Sequence, residues 1–419
     1  MTRQLVVWWN GRMVGQLTQD RHGELGFVYD PDWIADGASL PLSASLPKRA
    51  EPYARRECRP FFGGLLPEES QRDAAAQALG VSKANDFALL DRLGGDVAGA
   101  LQLLPVGQEP FLESVAQPKA LRDDQLIAVL DKLPMRPLLA GEEGLRLSLA
   151  GAQAKVPVVV ADGAIALPEP GQATTHIIKP PITRFPATTE NEALVMRLAA
   201  ACGLNVAPVE ARVVRDRPFL LVQRYDRDFG ADGRVRRIHQ EDFCQALAVP
   251  PETKYAAEGG PTLQDSFALV RRISARPAQD VLALLDAVIF NLIAGNADAH
   301  GKNFSILYSD QGPRLAPLYD LLSTVLYPDL SPKMAMKMGK GATLAEMDAK
   351  SWTAFAAEAE LGLSLVRRRV EELCARVRDE AGGAAVALTA QPGLDATALA
   401  AHADFLQDRA RLTNATLER

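Results

Sequence analysis

Cysteine and histidine are scarce in this 419-residue chain, and the few present are scattered. The four cysteines, Cys58, Cys202, Cys244 and Cys374, form no C-x-x-C pair, and the five histidines share no ligand spacing. This argues against a disulfide framework and against a Cys/His zinc site. Long apolar runs are missing too. The longest, Val281 to Ala294, falls short of the ~20 residues a membrane span needs and contains Asp286 and Asn291. The opening run Leu5-Val6-Val7-Trp8-Trp9 is cut by Asn10-Gly11 with no small-residue cleavage site after it, so it reads as a strand and hairpin turn rather than a signal peptide. A cytoplasmic protein with no membrane partner is expected. Nor is there an excess of positive charge: 46 Lys+Arg stand against 52 Asp+Glu, a net −6. Coating nucleic acid or an anionic membrane by bulk charge is therefore disfavoured, since such binding scales with the counterions that Lys and Arg release. What is present is 47% hydrophobic and 23% charged residues, a globular composition long enough for two or three domains.

Residues 1–107 read as short strands and turns, then helical segments around Arg72 to Gly80 and Ser82 to Leu93, closing on an apolar strand near Ala100 to Leu104. Val106 to Pro118, with Gly107, Pro110 and Pro118, marks a boundary. Residues 119–233 carry β-branched runs around one helical pattern, Glu190 to Cys202, and read as a mostly β lobe. From 234 to 419 the pattern is helical, at 241–248, 265–274, 278–294, 352–378 and 397–415, with the Ala/Gly-rich piece 379–395 expected as a surface linker.

The chemistry concentrates after the apolar helix 278–294, which stops at Gly295. Asn296-Ala297-Asp298-Ala299-His300-Gly301-Lys302-Asn303 follows, then a strand Phe304 to Tyr308, a turn, and a second strand Leu315 to Tyr319 ending on Asp320. Moving a γ-phosphoryl group needs a carboxylate to orient and accept the proton of the attacking hydroxyl, and oxygen ligands for Mg²⁺. Kinases place the base and an Asn as D-x-x-x-x-N, with a metal Asp one hairpin later. Asp298 fits as base, and Asn303 and Asp320 as Mg²⁺ ligands. D-x-x-x-x-N alone is a common turn-capping pattern; its place between a buried helix and a hairpin ending in Asp favours the chemical reading. His300, flanked by these residues, fits a phosphate or structural hydrogen bond better than metal ligation.

Upstream, the small residues Ala150-Gly151-Ala152-Gln153-Ala154-Lys155 lie between two strands, where backbone N–H groups can approach phosphate, although the pattern is neither a Walker A nor a G-x-G-x-x-G loop. Lys179 ends the apolar strand His176-Ile177-Ile178 and faces inward if the pleat continues. Helix 190–202 opens with Glu190 and Glu192, either of which suits a pairing with Lys179 or the helix dipole.

Taken together, Ser148-Leu-Ala-Gly-Ala-Gln-Ala-Lys155, Thr174-Thr-His-Ile-Ile-Lys179, Gln223-Arg-Tyr-Asp-Arg227, His239-Gln-Glu-Asp-Phe-Cys-Gln245, Lys254-Tyr255 with Gly259-Gly260-Pro261, Asp298-x-His300-x-Lys302-Asn303 and Leu318-Tyr-Asp320 resemble the HipA toxin kinases. Pro41-Leu42-Ser43, Phe61-Phe62 and Leu65-Leu66-Pro67 resemble that family's extra amino-terminal subdomain, so the likeness covers nearly the whole chain. The resemblance implies an α+β, protein-kinase-like bilobal fold with a β-rich N-lobe, a helical C-lobe and an extra N-terminal α+β subdomain. It implies a Ser/Thr protein kinase toxin that phosphorylates an aminoacyl-tRNA synthetase, glutamyl-tRNA synthetase in the best-known case, stalling translation and favouring persistence. It implies ATP contacts from Ala150, Gly151, Ala152, Gln153, Ala154 and Lys155, from Lys179, from a hinge Gln223-Arg224-Tyr225, from His300, Gly301, Lys302 and Asn303, and from Tyr319 and Asp320. Ser148 matches the family's autophosphorylated serine, whose modification ejects the phosphate loop. The implied partner is a helix-turn-helix antitoxin dimer of the HipB kind, through which the complex reaches operator DNA and co-represses.

Two positions depart from the family pattern, Ala154 where a Glu commonly precedes the Lys and Gln223 where the hinge often begins with Glu. The basic stretches Arg234-Val-Arg236-Arg237 and Arg367-Arg368-Arg369 with Arg376 and Arg378 read as solvated faces balanced by acidic neighbours. Two other readings stand beside the toxin kinase: a small-molecule phosphotransferase of the aminoglycoside kind, and an inactive pseudokinase that serves its DNA-binding antitoxin as a binding module.

Overall fold

The computed structural model describes residues 2–110, 119–230 and 234–419. The chain divides into two compact units, one made of Met1–Pro180, Gln223–Glu252 and Leu307–Ser309, the other of Pro181–Val222, Thr253–Ile306 and Asp310–Arg419.

The first unit is built on an antiparallel five-stranded sheet with strand order Tyr53–Ala54, Leu25–Tyr29, Arg12–Gln19, Arg3–Trp9, Leu101–Pro105. Trp9 pairs with Arg12 across Asn10-Gly11, both at positive φ (45° and 80°), the conformation a two-residue hairpin turn requires. Alternation then sends Leu5, Val7, Leu17 and Phe27 to one face, where Phe61, Phe62, Ala75, Phe87 and Leu90 from three helical stretches complete a core. One of those helices, Arg55–Gly64, replaces what the sequence suggested was turn; the other two are Glu69–Leu79 and Asp86–Leu93. Residues 119–180 add a helix, Asp123–Lys132, and a strand Val156–Ala161 that pairs antiparallel with Ala164–Ala166 and with His176–Lys179.

The second unit is mainly helical. Its helices are Thr188–Ala201, Leu263–Ile273, Pro277–Ala294, Ala349–Glu358, Leu363–Thr389 and Ala396–Ala415, with a hairpin in which Val209–Val214 pairs with Arg217–Gln223. Pro277–Ala294 is long and apolar enough to cross a membrane by length and composition, but two thirds of it (67%) is buried, with Leu284, Leu285, Ile289 and Phe290 in the core. The helical segment expected over 352–378 is two helices, broken where Glu360 takes φ 51° and Gly362 caps the second. The expected linker 379–395 is mostly helix: Leu363–Thr389 continues through it because Ala381, Ala385 and Leu388 repeat at helical spacing and are buried, and alanine carries the strongest helix propensity.

Candidate functional site

The helix Pro277–Ala294 ends with Gly295 in the left-handed conformation (φ 72°), its N–H returning to Asn291 O. Arg409, from Ala396–Ala415, donates through Nε to Ile293 O at 2.8 Å and through Nη2 to Leu292 O at 2.6 Å. The last carbonyls of the helix are thus capped by a cation whose own pKa burial lowers to about 10. The loop that follows starts from a rigid end.

Within that loop, buried Asn296 acts as a staple. Its Nδ2 donates to Asn291 Oδ1 at 2.9 Å and to Asp320 O at 3.4 Å, while its Oδ1 accepts from Asp298 N at 3.3 Å. Ala297 N donates to Thr324 Oγ1 at 2.8 Å, His300 N to Asp298 O at 2.8 Å, and Asn303 N to His300 O at 2.9 Å. Asp298, His300, Gly301, Lys302 and Asn303 therefore sit in a tightly bonded turn, with Gly301–Asn303 forming a short 3-10 helix. The Asp298 carboxylate accepts from Tyr255 Oη at 2.8 Å.

The strand after the loop is Ser305–Ser309 and its successor Gly312–Leu315. The expected strand from Leu315 to Tyr319 stops at Leu315. Residues beyond it turn to other partners: Leu318 N donates to Asn205 O at 2.9 Å, Ala207 N to Leu318 O at 2.8 Å, and Tyr319 Oη to Lys302 O at 2.6 Å with Ser305 Oγ 2.8 Å away. Asp320 then takes φ 58°, a left-handed conformation uncommon for a residue other than Gly, Asn or Asp. That turn delivers its Oδ2 to within 3.1 Å of Asn303 Nδ2. The pair expected as metal ligands is thus adjacent.

Mg²⁺ takes a small number of protein oxygens and completes its shell with water and phosphate. Asn303 Oδ1 is buried and accepts no hydrogen bond from the described residues, beside the Asp320 carboxylate. A hard-oxygen donor with no proton partner next to a carboxylate fits such an ion.

In the first unit, Ser148 is fully buried: its Oγ donates to Leu65 O at 2.7 Å and its N–H to Asp96 O at 2.9 Å. The loop after it is closed on itself. Lys155 Nζ donates to Ala150 O at 2.8 Å, Gly151 O accepts from Glu68 N at 3.2 Å, and Gln153 Nε2 donates to Pro180 O at 3.2 Å. Gly151 has φ 116°, a backbone conformation that side-chain-bearing residues rarely adopt, which favours glycine at this turn. Ala152 and Ala154 complete the turn without a regular element, and Lys179 ends its strand buried.

Gln223 ends its strand, and Tyr225 Oη bonds to Gln240 Oε1. Arg224 has another role than a hinge side chain. Its guanidinium is buried against Asp226 (2.7 Å), Asp96 (3.3 Å), Thr174 Oγ1 (2.9 Å) and Val97 O (2.8 Å), and its N–H goes to Thr175 O (2.9 Å). Arg227 and Arg237 join the same cluster, both on Asp96 Oδ1 at 3.0 and 2.8 Å. Burial would raise Asp96, but Arg227, Arg237 and Arg224 together hold its carboxyl well below the usual range. Of the basic stretches read as solvated faces, Arg237 is therefore interior. Arg236 pairs with Asp228, Arg369 with Asp286 and Glu372, and Arg376 with Cys202 O.

Sequence reasoning gave no role to Asn296, Tyr255, Asp96 or Arg409. Asn296 and Tyr255 stood inside recognised motifs; nothing local marks Asp96 or Arg409. Glu190 accepts from Asp395 N at 3.1 Å, at the start of the last helix.

Two family descriptions match the chain, "HipA N-terminal domain" over residues 5–104 and "HipA-like C-terminal domain" over 147–383. Y4mE of Sinorhizobium fredii is 67% identical over 99% of both chains. The serine/threonine-protein kinase toxin HipA of Shewanella oneidensis is 33% identical, over 77% of this chain and 76% of its own. Among solved structures, the Shewanella oneidensis MR-1 toxin–antitoxin complex of HipA, HipB and operator DNA aligns with a TM-score of 0.86 at 28% identity, covering 99% of this chain and 98% of that one. The α+β architecture is thus the protein-kinase-like fold expected, and the chain belongs to the HipA family of toxin kinases.

Proposed function

We propose that this chain is an ATP- and Mg²⁺-dependent protein serine/threonine kinase, the toxin of a toxin–antitoxin module. The observation that carries the reading is the loop of the second unit, in which the Asp298 carboxylate is fixed by a hydroxyl and the Asn303 and Asp320 side chains touch. Asp298 would orient the acceptor hydroxyl and take its proton, assistance worth about 10²–10⁴-fold. Asn303 and Asp320 would hold Mg²⁺, which when bound neutralises charge on the phosphates. Lys179 and the backbone of Ala150 to Lys155 would bind phosphate, with Gln223 to Tyr225, His300 to Lys302 and Tyr319 completing the nucleotide contacts. Residues 1–107 would form the family's extra subdomain, 119–233 the nucleotide lobe and 234–419 the catalytic lobe.

The substrate we propose is an aminoacyl-tRNA synthetase, glutamyl-tRNA synthetase first among them, whose phosphorylation inhibits translation and promotes persistence. Ser148 would be the autophosphorylation site. The Shewanella oneidensis HipA was solved with HipB and operator DNA; by analogy a helix-turn-helix antitoxin dimer would bind this chain and carry it to DNA as co-repressor. The net charge of −6 suits a cytoplasmic enzyme that leaves DNA affinity to its antitoxin.

The test is incubation with γ-labelled ATP and Mg²⁺, alone and with a purified synthetase, comparing parent, Asp298→Asn and Asp320→Asn. Label on protein from the parent alone is the expected result. Equal labelling by the variants sinks the assignment, label on a small molecule points to a metabolite phosphotransferase, and nucleotide binding without turnover points to a pseudokinase.

A further inference from the structure

The sheet of the first unit leaves one polar group unanswered. Leu101 and Leu103 face the core, so the alternating Gln102 and Leu104 face away from it, into a cleft of about 600 Å³ counting the part open to solvent. The segment 144–147 and the turn 168–172 form its other walls, and no residue assigned above to nucleotide or metal lines it.

Gln102 is 3% exposed, and its Nε2 meets no acceptor among the described residues. Trp8 stands directly opposite on the neighbouring strand, and its Nε1 is buried without an acceptor as well. Residues paired in this way carry their side chains on one face, with Cβ atoms about 4.5–5.5 Å apart. Half a turn of the carboxamide about its last bond exchanges its two ends. Oε1 then lies on the buried side, where the Trp8 donor lacks an acceptor, and Nε2 faces the cleft. Because a buried amide donor goes without a bond only at a cost in stability, the floor of the cleft calls for an acceptor.

A cation is built into the same wall. Half-buried Arg146 lines the cleft with its Nη2 fixed on Asp91 O at 2.8 Å and on Leu103 O at 2.9 Å, while its Nε and Nη1 make no hydrogen bond among the described residues. Glu109 and Glu169, by contrast, line the cleft from exposed positions. Glu169 belongs to a closed turn: its O accepts from Gln172 N at 2.9 Å, its N donates to Gln172 Oε1 at 3.0 Å, and Arg237 Nη2 holds Gly171 O at 3.2 Å. Leu104, Leu145 and Pro168 supply apolar wall. Donors are thus deep and carboxylates stand at the mouth.

We propose that this cleft is a binding site for a free amino acid, its carboxylate inward on Gln102 Nε2 and the Arg146 guanidinium and its ammonium outward on Glu109 and Glu169. Apolar walls with a few placed polar groups are the common form of a small-molecule site. Two carboxylates at the mouth disfavour a simple anion and Arg146 disfavours a simple amine, so the charge pattern selects a molecule that carries both signs. The site stands apart from the kinase reading, since it uses none of the residues which that reading assigns. Occupancy has a place to be felt: Leu147, next to Arg146, bridges to Asp96 just before Ser148.

The test is calorimetric titration of the full chain with each common amino acid singly, followed by deuterium exchange with the tightest binder. At least one amino acid should bind and slow exchange over 144–147. Its carboxamide, which lacks the negative charge, should bind at least about 10-fold more weakly. Its N-acetyl form, which lacks the positive one, should bind about 2- to 30-fold more weakly. Gln102→Leu should weaken the parent ligand at least about 10-fold, and the exposed pair Glu109→Gln with Glu169→Gln about as much as acetylation does. Absence of binding by every amino acid overturns the proposal and leaves a cleft filled by water. Equal affinity for the acetylated form overturns it by making the ligand a plain carboxylate, and parent affinity in Gln102→Leu or in the double variant overturns it by placing the binding elsewhere.

Discussion

Ser148 donates its side-chain hydroxyl to the carbonyl of Leu65 at 2.7 Å, from a position with no solvent exposure. A phosphate of about −1.5 to −2 charge with three acceptor oxygens has no place there. Modification of Ser148 therefore requires the 147–155 segment to leave its seat, breaking the Ser148 N to Asp96 O and Glu68 N to Gly151 O bonds. Ser148→Asp should reproduce that displacement. Its amides over 147–155 should exchange with deuterium faster than the parent's, while Ser148→Ala, which leaves the Leu65 carbonyl without its donor at a cost of about 1–3 kcal/mol, keeps the segment protected. Equal protection in parent and Ser148→Asp would mean the burial is no barrier.

Behind that segment lies the Asp96 cluster. Arg224, Arg227 and Asp226 have side chains 0–3% exposed, and Arg237 9%. Three guanidiniums face two carboxylates, so Asp96→Asn leaves three buried cations against Asp226 alone. Removing one partner of a buried ion network typically costs about 3–5 kcal/mol. Denaturant unfolding of Asp96→Asn should show a loss of that order, and the segment carrying Ser148, tied to the Asp96 backbone by the Asp96–Leu147 bridge and the Ser148 N to Asp96 O bond, should loosen with it. A loss under about 1 kcal/mol would show that the cluster relaxes or takes in water.

How much of this the sequence discloses depends on how local each feature is. Asp298 and Asn303 were legible because a buried helix, a glycine stop and a short loop are contiguous. Asp320 was placed at the end of a strand; the strand ends sooner because Leu318 pairs with Asn205 and Ala207, over a hundred positions upstream, which no local pattern marks. Composition misled at 379–395, where Ala and Gly suggest a linker until the burial of Ala381, Ala385 and Leu388 is known. It misled again at Arg237, a basic residue in a basic run that is interior because Asp96 waits for it.

A last expectation concerns pH. Glu241 is buried, with Ser43 Oγ and Tyr308 Oη bonded to its oxygens and Ala44 N donating at 2.9 Å. Burial pushes its pKa up to about 7, against the partial opposition of those hydrogen bonds. The folded state then binds a proton that the unfolded chain, with an ordinary value of 4.5, has already released. The resulting stabilisation is complete below about pH 4.5 and is lost as pH rises toward 7, with little further change above. The pKa difference corresponds to about 3 kcal/mol at its full extent. Glu241→Gln keeps the shape and an acceptor oxygen but cannot ionise. Between pH 5 and pH 8 the unfolding temperature of the parent should therefore drop further than that of Glu241→Gln, so that the variant gains on the parent as pH rises. Parallel curves over that range would mean that Glu241 stays in one protonation state, and that the Ser43 and Tyr308 contacts hold it charged.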